Sequence, residues 1–236
     1  MKVVAWDKLP LEMRTDEVRR YYDILKKKQG RLFAKRCFDI AASLLLLVLT
    51  SPLFLILAIA IKADSKGPVF YRQVRVTQYG REFRIHKFRS MVENADRGSQ
   101  VTVNHDDRIT RVGRIIRGCR LDEISQLIDV LSGNMTFVGT RPEVRKYVDA
   151  YTPEMMATLL LPAGITSEAS VYYKDEARLL DSAEDTDLTY VRDVLPQKMK
   201  YNLRAIEKFG LRQDIKVMFM TAAAMLGREY RDGAIT

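Results

Sequence analysis

The sequence predicts a mostly helical α+β fold built around one membrane segment. Three observations lead there. Residues 38–61, FDIAASLLLLVLTSPLFLILAIAI, hold a single charged residue, Asp39, at their edge. Basic residues crowd both flanks of that stretch. Beyond it, apolar residues recur mainly at helical spacing, and one short region alternates as a strand pair would.

Taken in order, residues 1–34 are a polar, charged N-terminal segment, with VRRYYDILKKK (18–28) as a surface helix. Residues 35–62 form the membrane segment. A straight helix over 38–61 would be about 36 Å long against a hydrocarbon core of about 30 Å, so one tilted crossing is a first reading. Ser51-Pro52 in its middle supports a second. Proline removes a backbone donor and clashes with the preceding turn, so the helix is expected to break there. In lipid the freed carbonyl needs a partner, and the Ser51 hydroxyl can supply one. Lys26, Lys27, Lys28, Arg31, Lys35 and Arg36 precede the segment, and Lys62, Lys66, Arg72 and Arg75 follow it. The positive-inside rule then asks for both ends in the cytosol. A helix that enters, breaks and returns meets that demand.

Residues 63–236 are the remaining domain. Lys66-Gly67-Pro68 reads as a turn, and VFYRQVRV (69–76) with EFRIHKF (82–88) as a hairpin joined through TQYG. Residues 92–107 are polar and loop-like. RITRVGRIIRGCR (108–120) places Ile109, Val112, Ile115 and Ile116 between arginines, as an amphipathic helix does. Leu121, Ile124, Leu127, Ile128 and Leu131 continue at helical spacing to Gly133. Gly118 marks a break between the two runs and sets Asp122 near a helix N-terminus. PAGIT (162–166) interrupts the chain after MMATLLL, residues 174–193 form an acidic surface face, and DIKVMFMTAAAML (214–226) lies against lipid or core.

Net charge is +9 over 236 residues, and the excess of Lys and Arg sits in the first 120. Such a distribution favours an anionic partner, phosphates or a membrane surface. Cys37, Cys119, His86 and His105 are the only residues of their types, and their spacing excludes an ordinary zinc site. Two distant cysteines suit a reduced cytosolic chain. The apolar stretch begins too deep for a secretory signal and lacks a cleavage pattern.

RLDEISQLIDV (120–130) carries the chemistry. Asp122 and Glu123 follow Arg108, Arg111, Arg114, Arg117 and Arg120, a basic residue at every third position. Acids in a first helical turn also simply stabilise the helix dipole, and arginines can line a headgroup-binding face. A three-residue period precesses around an α-helix, so these arginines cannot all face one site. The combination says more. Arginines and helix N–H groups bind phosphate, and a neighbouring carboxylate either holds Mg²⁺ or attacks as a nucleophile. Next to a membrane anchor, that suggests transfer chemistry on a lipid phosphate. Two other classes compete: a basic nucleic-acid-binding protein and a non-catalytic membrane scaffold. Against the first, no nucleic-acid motif is present and aromatics do not interleave with the arginines.

From about Lys35 to Leu226 the chain resembles the bacterial sugar transferases, the monotopic polyprenyl-phosphate phosphoglycosyl transferases. The resemblance rests on several motifs in order: KRCFDI before a segment broken at Ser-Pro, GPVFYRQVRV, FRIHKFRSM, DRITRVGRIIR, LDEISQLIDVLSGNMTFVGTRPE, PAGIT and DIKVMFMT. It implies transfer of a sugar-1-phosphate from a UDP-sugar to undecaprenyl phosphate with release of UMP, at the start of surface-glycan assembly. It implies Mg²⁺, a re-entrant helix broken at Ser51 and Pro52, and a cytosolic catalytic domain with interfacial amphipathic helices on the inner membrane of a bacterium. Carried over by motif, Asp122 is the nucleophile and Glu123 its partner, both available to the metal. Lys87, Arg117, Arg141 and Pro142 line the substrate site. The expected partners are the UDP-sugar, undecaprenyl phosphate and the membrane, with a homodimer as an option and no nucleic acid. The chain departs from the family pattern at Ser125, Asn134, Thr140, Ala163, Ser167-Glu168 and Gly210.

Overall fold

The computed structural model describes residues 1–92, 108–173 and 185–230. The polar loop expected at 92–107 therefore lies outside the described residues apart from Val92, and the acidic face at 174–193 is described only from Asp185. Among the described residues the helices are α1 (Asp16–Lys27), α2 (Gln29–Asp64), α3 (Arg111–Gly118), α4 (Leu127–Ser132), α5 (Arg145–Val148), α6 (Glu168–Tyr172), α7 (Thr186–Thr189), α8 (Leu195–Glu207) and α9 (Leu211–Met225). The strands are β1 (Phe70–Tyr71), β2 (Val74–Val76), β3 (Glu82–Arg84), β4 (Lys87–Phe88), β5 (Met135–Val138) and β6 (Ala163–Thr166).

The N-terminal segment corrects the surface-helix expectation. Val18, Tyr21, Tyr22 and Leu25 repeat at helical spacing and all four are buried. They pack with Val76, Leu160, Leu203 and Ile206 in the largest apolar cluster. Asp16 and Glu17 open α1, and Lys26 and Lys27 close it, each sign at the end where the dipole favours it. The charges are the solvent face of a core helix.

α2 stays helical through Pro52, where a break was expected. Pro52 cannot donate to the carbonyl of Val48, but the Ser51 hydroxyl does, at 2.8 Å. Thr50 repeats the device on Leu46 O at 2.6 Å. The ladder loses one N–H bond and regains an O–H bond, so helical backbone continues. α2 is long and apolar enough to cross a membrane, and 11% of its most apolar window is buried. Leu45, Val48, Leu49, Leu55, Ile56 and Ile59 all project outward. A soluble core helix would hide them.

Both ends of α2 are tied to one body. Along its first half, Phe38, Ala42 and, at the midpoint, Leu47 pack with Leu127, Val130, Phe137 and Val138. Near its end, Leu57 and Ile61 meet Phe88 and Ile116. Asp64 Oδ2 accepts from the Val112 N–H at 2.9 Å. The buried Arg89 guanidinium donates to the carbonyls of Pro68, Lys66 and Ser65 at 2.7, 2.6 and 2.9 Å, fastening the chain where it leaves the helix.

The expected hairpin forms, as two short antiparallel ladders. β2 pairs with β3 (Arg75 opposite Phe83), and β1 with β4 (Tyr71 opposite Lys87). Phe83, Ile85 and Phe88 turn inward. A second pair, the parallel β5 and β6, was not expected. All four β5 residues are buried, so no alternation marks it in the sequence. Gly164 allows the pair to meet the chain leaving β5, since a Cβ there would lie 2.2 Å from Gly139 N.

α9 splits its apolar residues. Val217 and Met220 are buried, while Phe219 and Met225 face outward.

Candidate active site

A local turn creates the site. α3 closes with Arg120 N–H on Arg117 O at 3.0 Å. Arg120 then takes a left-handed conformation, φ 53° and ψ 30°, which redirects the chain into a 3-10 turn over Leu121–Gln126. Asp122 and Glu123 occupy its first turn, near a helical N-terminus as the Gly118 break implied. Leu121 and Ile124 anchor it on the cluster containing Phe88 and Ile116.

Ser125 is fully buried. Its hydroxyl lies 3.0 Å from His86 O and 3.2 Å from Asp122 O. Asp129 adds a second tie, accepting from His86 N and pairing with His86 Nδ1, both at 2.8 Å. The dyad turn and the β3–β4 segment are thus locked together. Lys87, next along the strand, reaches Glu123 Oε1 at 3.4 Å. From the loop after β5, Arg141 Nη2 donates to the same oxygen at 2.6 Å. Four of the residues expected in the site therefore converge: Lys87, Asp122, Glu123 and Arg141. Arg117 is close enough for its charge to act on Asp122. Pro142 is buried and contributes a carbonyl, which accepts from Arg75 Nη1 at 3.2 Å. Ser51 and Pro52 lie away on α2.

The two carboxylates have different fates. Burial pushes Glu123 up, but the Arg141 and Lys87 charges beside it outweigh that and hold it well below the usual carboxylate range. For Asp122 burial dominates; Lys87 and Arg117 pull it down, Glu123 pushes it up, and the net shift is upward. Among the described residues Asp122 joins no ion pair. Burial also lowers Lys87, with Glu123 opposing and Arg141 assisting. Glu123 is held by two cations that favour its charged form. Asp122, among the described residues, is a carboxylate near cations with no ion pair of its own.

Beside the pair opens a mostly apolar groove with a cavity of about 470 Å³. Glu123, Arg141 and Arg120 line one part, and Leu46 and Thr50 of α2 with Met225 of α9 line another. It connects the charged cluster to the outward-facing apolar helix.

No group of three or more His, Cys, Asp or Glu residues able to hold a metal occurs among the described residues. The donor set still fits Mg²⁺ as a shared ligand. Mg²⁺ is commonly held by one or two carboxylates together with substrate phosphates, and Asp122 and Glu123 offer two adjacent ones.

Sequence reasoning passed over Arg75, whose guanidinium is held by Gln73 Oε1 at 2.6 and 3.1 Å. It also passed over the Asp129–His86 tie. Both follow from motifs already singled out, RQVRV and RIHKF, but their partners are set by the fold. KRCFDI and DIKVMFMT contribute a buried clamp instead of site residues. Lys35 Nζ lies 2.6 Å from Asp214 Oδ2 and 3.0 Å from Val138 O. Asp39, one turn on, accepts from Thr136 Oγ1 at 2.7 Å. Among the departures, Ala163 donates its N–H to Thr77 Oγ1 at 3.1 Å.

A cation-flanked carboxylate pair beside an apolar groove, on a body that carries one helix long and apolar enough to cross a membrane, is the class of site that the fold defines. Residues 30–228 match the model of the bacterial sugar transferase family, and the chain belongs to that family. It is 37% identical over 198 residues to a UDP-N-acetylgalactosamine-undecaprenyl-phosphate N-acetylgalactosaminephosphotransferase of Aeromonas hydrophila, covering 82% of this chain and 44% of that protein. A UDP-glucose:undecaprenyl-phosphate glucose-1-phosphate transferase of Klebsiella pneumoniae is 36% identical over 193 residues, covering 79% and 39%. One of the same name from Caulobacter vibrioides is 35% identical over 203 residues, covering 81% and 69%. The chain thus spans less than half the length of the first two relatives.

Proposed function

We propose that this protein is a phosphoglycosyl transferase that moves a sugar-1-phosphate from a UDP-sugar to undecaprenyl phosphate, releasing UMP. The observation that carries it is the divided dyad: Glu123, lining a groove that leads to α2, is tied up by Arg141 and Lys87, while the adjacent Asp122 joins no ion pair among the described residues. An Asp122 oxygen attacks the phosphorus bearing the sugar. The P–O bond to UMP breaks with its electron pair leaving on UMP, and a sugar-phosphoryl ester remains on Asp122. The acceptor phosphate then attacks that ester and returns the electron pair to the Asp122 carboxylate. Like charges oppose both attacks, and Lys87, Arg117 and Arg141 offset that repulsion in a partly dry site. Asp122 and Glu123 would hold a bound Mg²⁺, which would supply further neutralisation of the departing phosphate. Incubating the protein with undecaprenyl phosphate and a panel of UDP-sugars should release UMP with at least one sugar. No release across the panel would overturn the reading.

The catalytic body sits on the cytosolic face of a bacterial inner membrane, with α2 re-entrant. Support comes from the basic residues on both flanks and from burial of both helix ends against one body, which a straight crossing would separate by the bilayer. Single cysteines at positions 30 and 66, in a chain lacking Cys37 and Cys119, should both resist periplasmic labelling. Labelling of either sinks the re-entrant topology. Pro52→Leu should favour a straighter helix, since it restores the N–H that Pro52 lacks.

Arg117→Ala should lower kcat/KM for the UDP-sugar roughly ten- to a hundred-fold, the loss of one charge-assisted phosphate contact. Its pH profile is a second readout. Asp122 must be ionised to attack, and its raised pKa places the acid limb above that of an exposed aspartate. Arg117 holds that pKa down, so removing it should move the limb to higher pH. Lys87 must keep its proton to meet phosphate, and its lowered pKa brings the basic limb in earlier.

A further inference from the structure

We propose that Arg120 binds the phosphate of the membrane-borne acceptor at the mouth of the apolar groove and plays no part in holding the nucleotide-sugar. The proposal rests on the two-step reading above and adds a residue that the family motifs do not assign.

Arg120 is one of two non-glycine residues with positive φ among the described residues, the other being Tyr79. Glycine or asparagine would fit that conformation with less strain, and strained backbone persists where the surrounding structure enforces it. The turn points the chain straight into Leu121 and the dyad. Arg120 itself is exposed and lines the groove beside Glu123 and Arg141.

Three of the neighbouring cations are already engaged, and a fourth, Arg117, acts on Asp122. Lys87 and Arg141 hold Glu123, and Arg75 is bonded to Gln73 and Pro142. Among the described residues the Arg120 side chain has no hydrogen bond or ion pair. It is an uncommitted guanidinium at the polar end of a groove whose remainder is apolar.

The groove selects the occupant. Leu46 and Thr50 belong to the outward-facing stretch of α2, and Met225 to the outward face of α9. A long apolar chain can enter there from the bilayer, which a soluble nucleotide has no reason to do. A phosphate on the end of such a chain would arrive between Arg120 and the dyad. Its oxygen then attacks the phosphorus on Asp122, forming the new P–O–P link as the bond to the Asp122 oxygen breaks and its electrons return to the carboxylate. Arg120 lessens the repulsion between the incoming phosphate and the phosphoryl ester.

The test separates the two half-reactions in the full chain, purified in detergent. Arg120→Asn removes the charge and tolerates the left-handed turn; Arg120→Lys keeps the charge. With the UDP-sugar found active in the panel, Arg120→Asn should raise the KM for undecaprenyl phosphate about ten-fold, the scale of one charge-assisted contact. Lipid-free exchange of labelled UMP into the UDP-sugar should stay within about two-fold of the parent, and Arg120→Lys should recover most of the acceptor affinity. An unchanged acceptor KM overturns the proposal, and so does an equal loss in exchange. If the parent protein itself shows no exchange, the two-step reading falls, while the acceptor KM still decides whether Arg120 serves the acceptor.

Discussion

Asp122→Asn should reduce turnover on the order of 10³-fold or more, as expected when a covalent nucleophile is lost. The parent protein with UDP-sugar and Mg²⁺ but no lipid should exchange labelled UMP into UDP-sugar. It should also carry a hydroxylamine-sensitive sugar-phosphate adduct on the peptide containing Asp122. Both signals should vanish in the variant. Folding should survive, because burial disfavours the Asp122 charge and an amide removes it. Glu123→Gln should behave differently, weakening both activity and stability by leaving Lys87 and Arg141 without their shared partner. An active preparation with neither exchange nor adduct would favour direct single displacement, with Asp122 as a base or metal ligand.

Lys35→Ala should destabilise the folded protein by about 3–5 kcal/mol, the usual consequence of removing one member of a buried ion pair. The Lys35 side chain is 2% exposed and that of Asp214 is 11% exposed. Without Lys35 the Asp214 carboxylate keeps its burial penalty and loses the cation that offsets it. Lys35 also donates to Val138 O, so the tie between α2 and β5 goes with it. Lys35→Met with Asp214→Leu should recover much of the loss, since apolar replacement of both partners leaves no stranded charge. Denaturant titration in one detergent measures all three proteins. Equal stability of Lys35→Ala and the parent would show that the pair contributes nothing.

Much of this was legible along the chain. The apolar run with basic flanks marks α2 because hydropathy and charge are summed locally and need no tertiary partner. The hairpin was legible for the same reason, since Phe83 and Ile85 alternate with polar neighbours. α1 was half legible. Its Val18, Tyr21, Tyr22 and Leu25 stripe is periodic, but nothing local says that Leu160 and Leu203 wait to cover it. β5 was hidden, because a strand buried on both faces shows no alternation and Met135–Val138 follows a helix directly. The effect of Pro52 was misjudged because the rule for proline counts the missing N–H, whereas the adjacent Ser51 hydroxyl replaces it.

The sequence by itself determined the family and the long apolar helix and singled out the acidic pair, since motif order and hydropathy are properties of the chain alone. Only the tertiary structure decided what sets the two carboxylates apart electrostatically. Asp122 and Glu123 are neighbours in sequence with similar intrinsic acidity. What separates them is Arg141, 18 residues later, and Lys87, 36 residues earlier, both brought onto one Glu123 oxygen. On Asp122 burial outweighs the pull of Lys87 and Arg117, and the net shift is upward. Desolvation and Coulombic fields depend on distances through space, and the fold sets those distances.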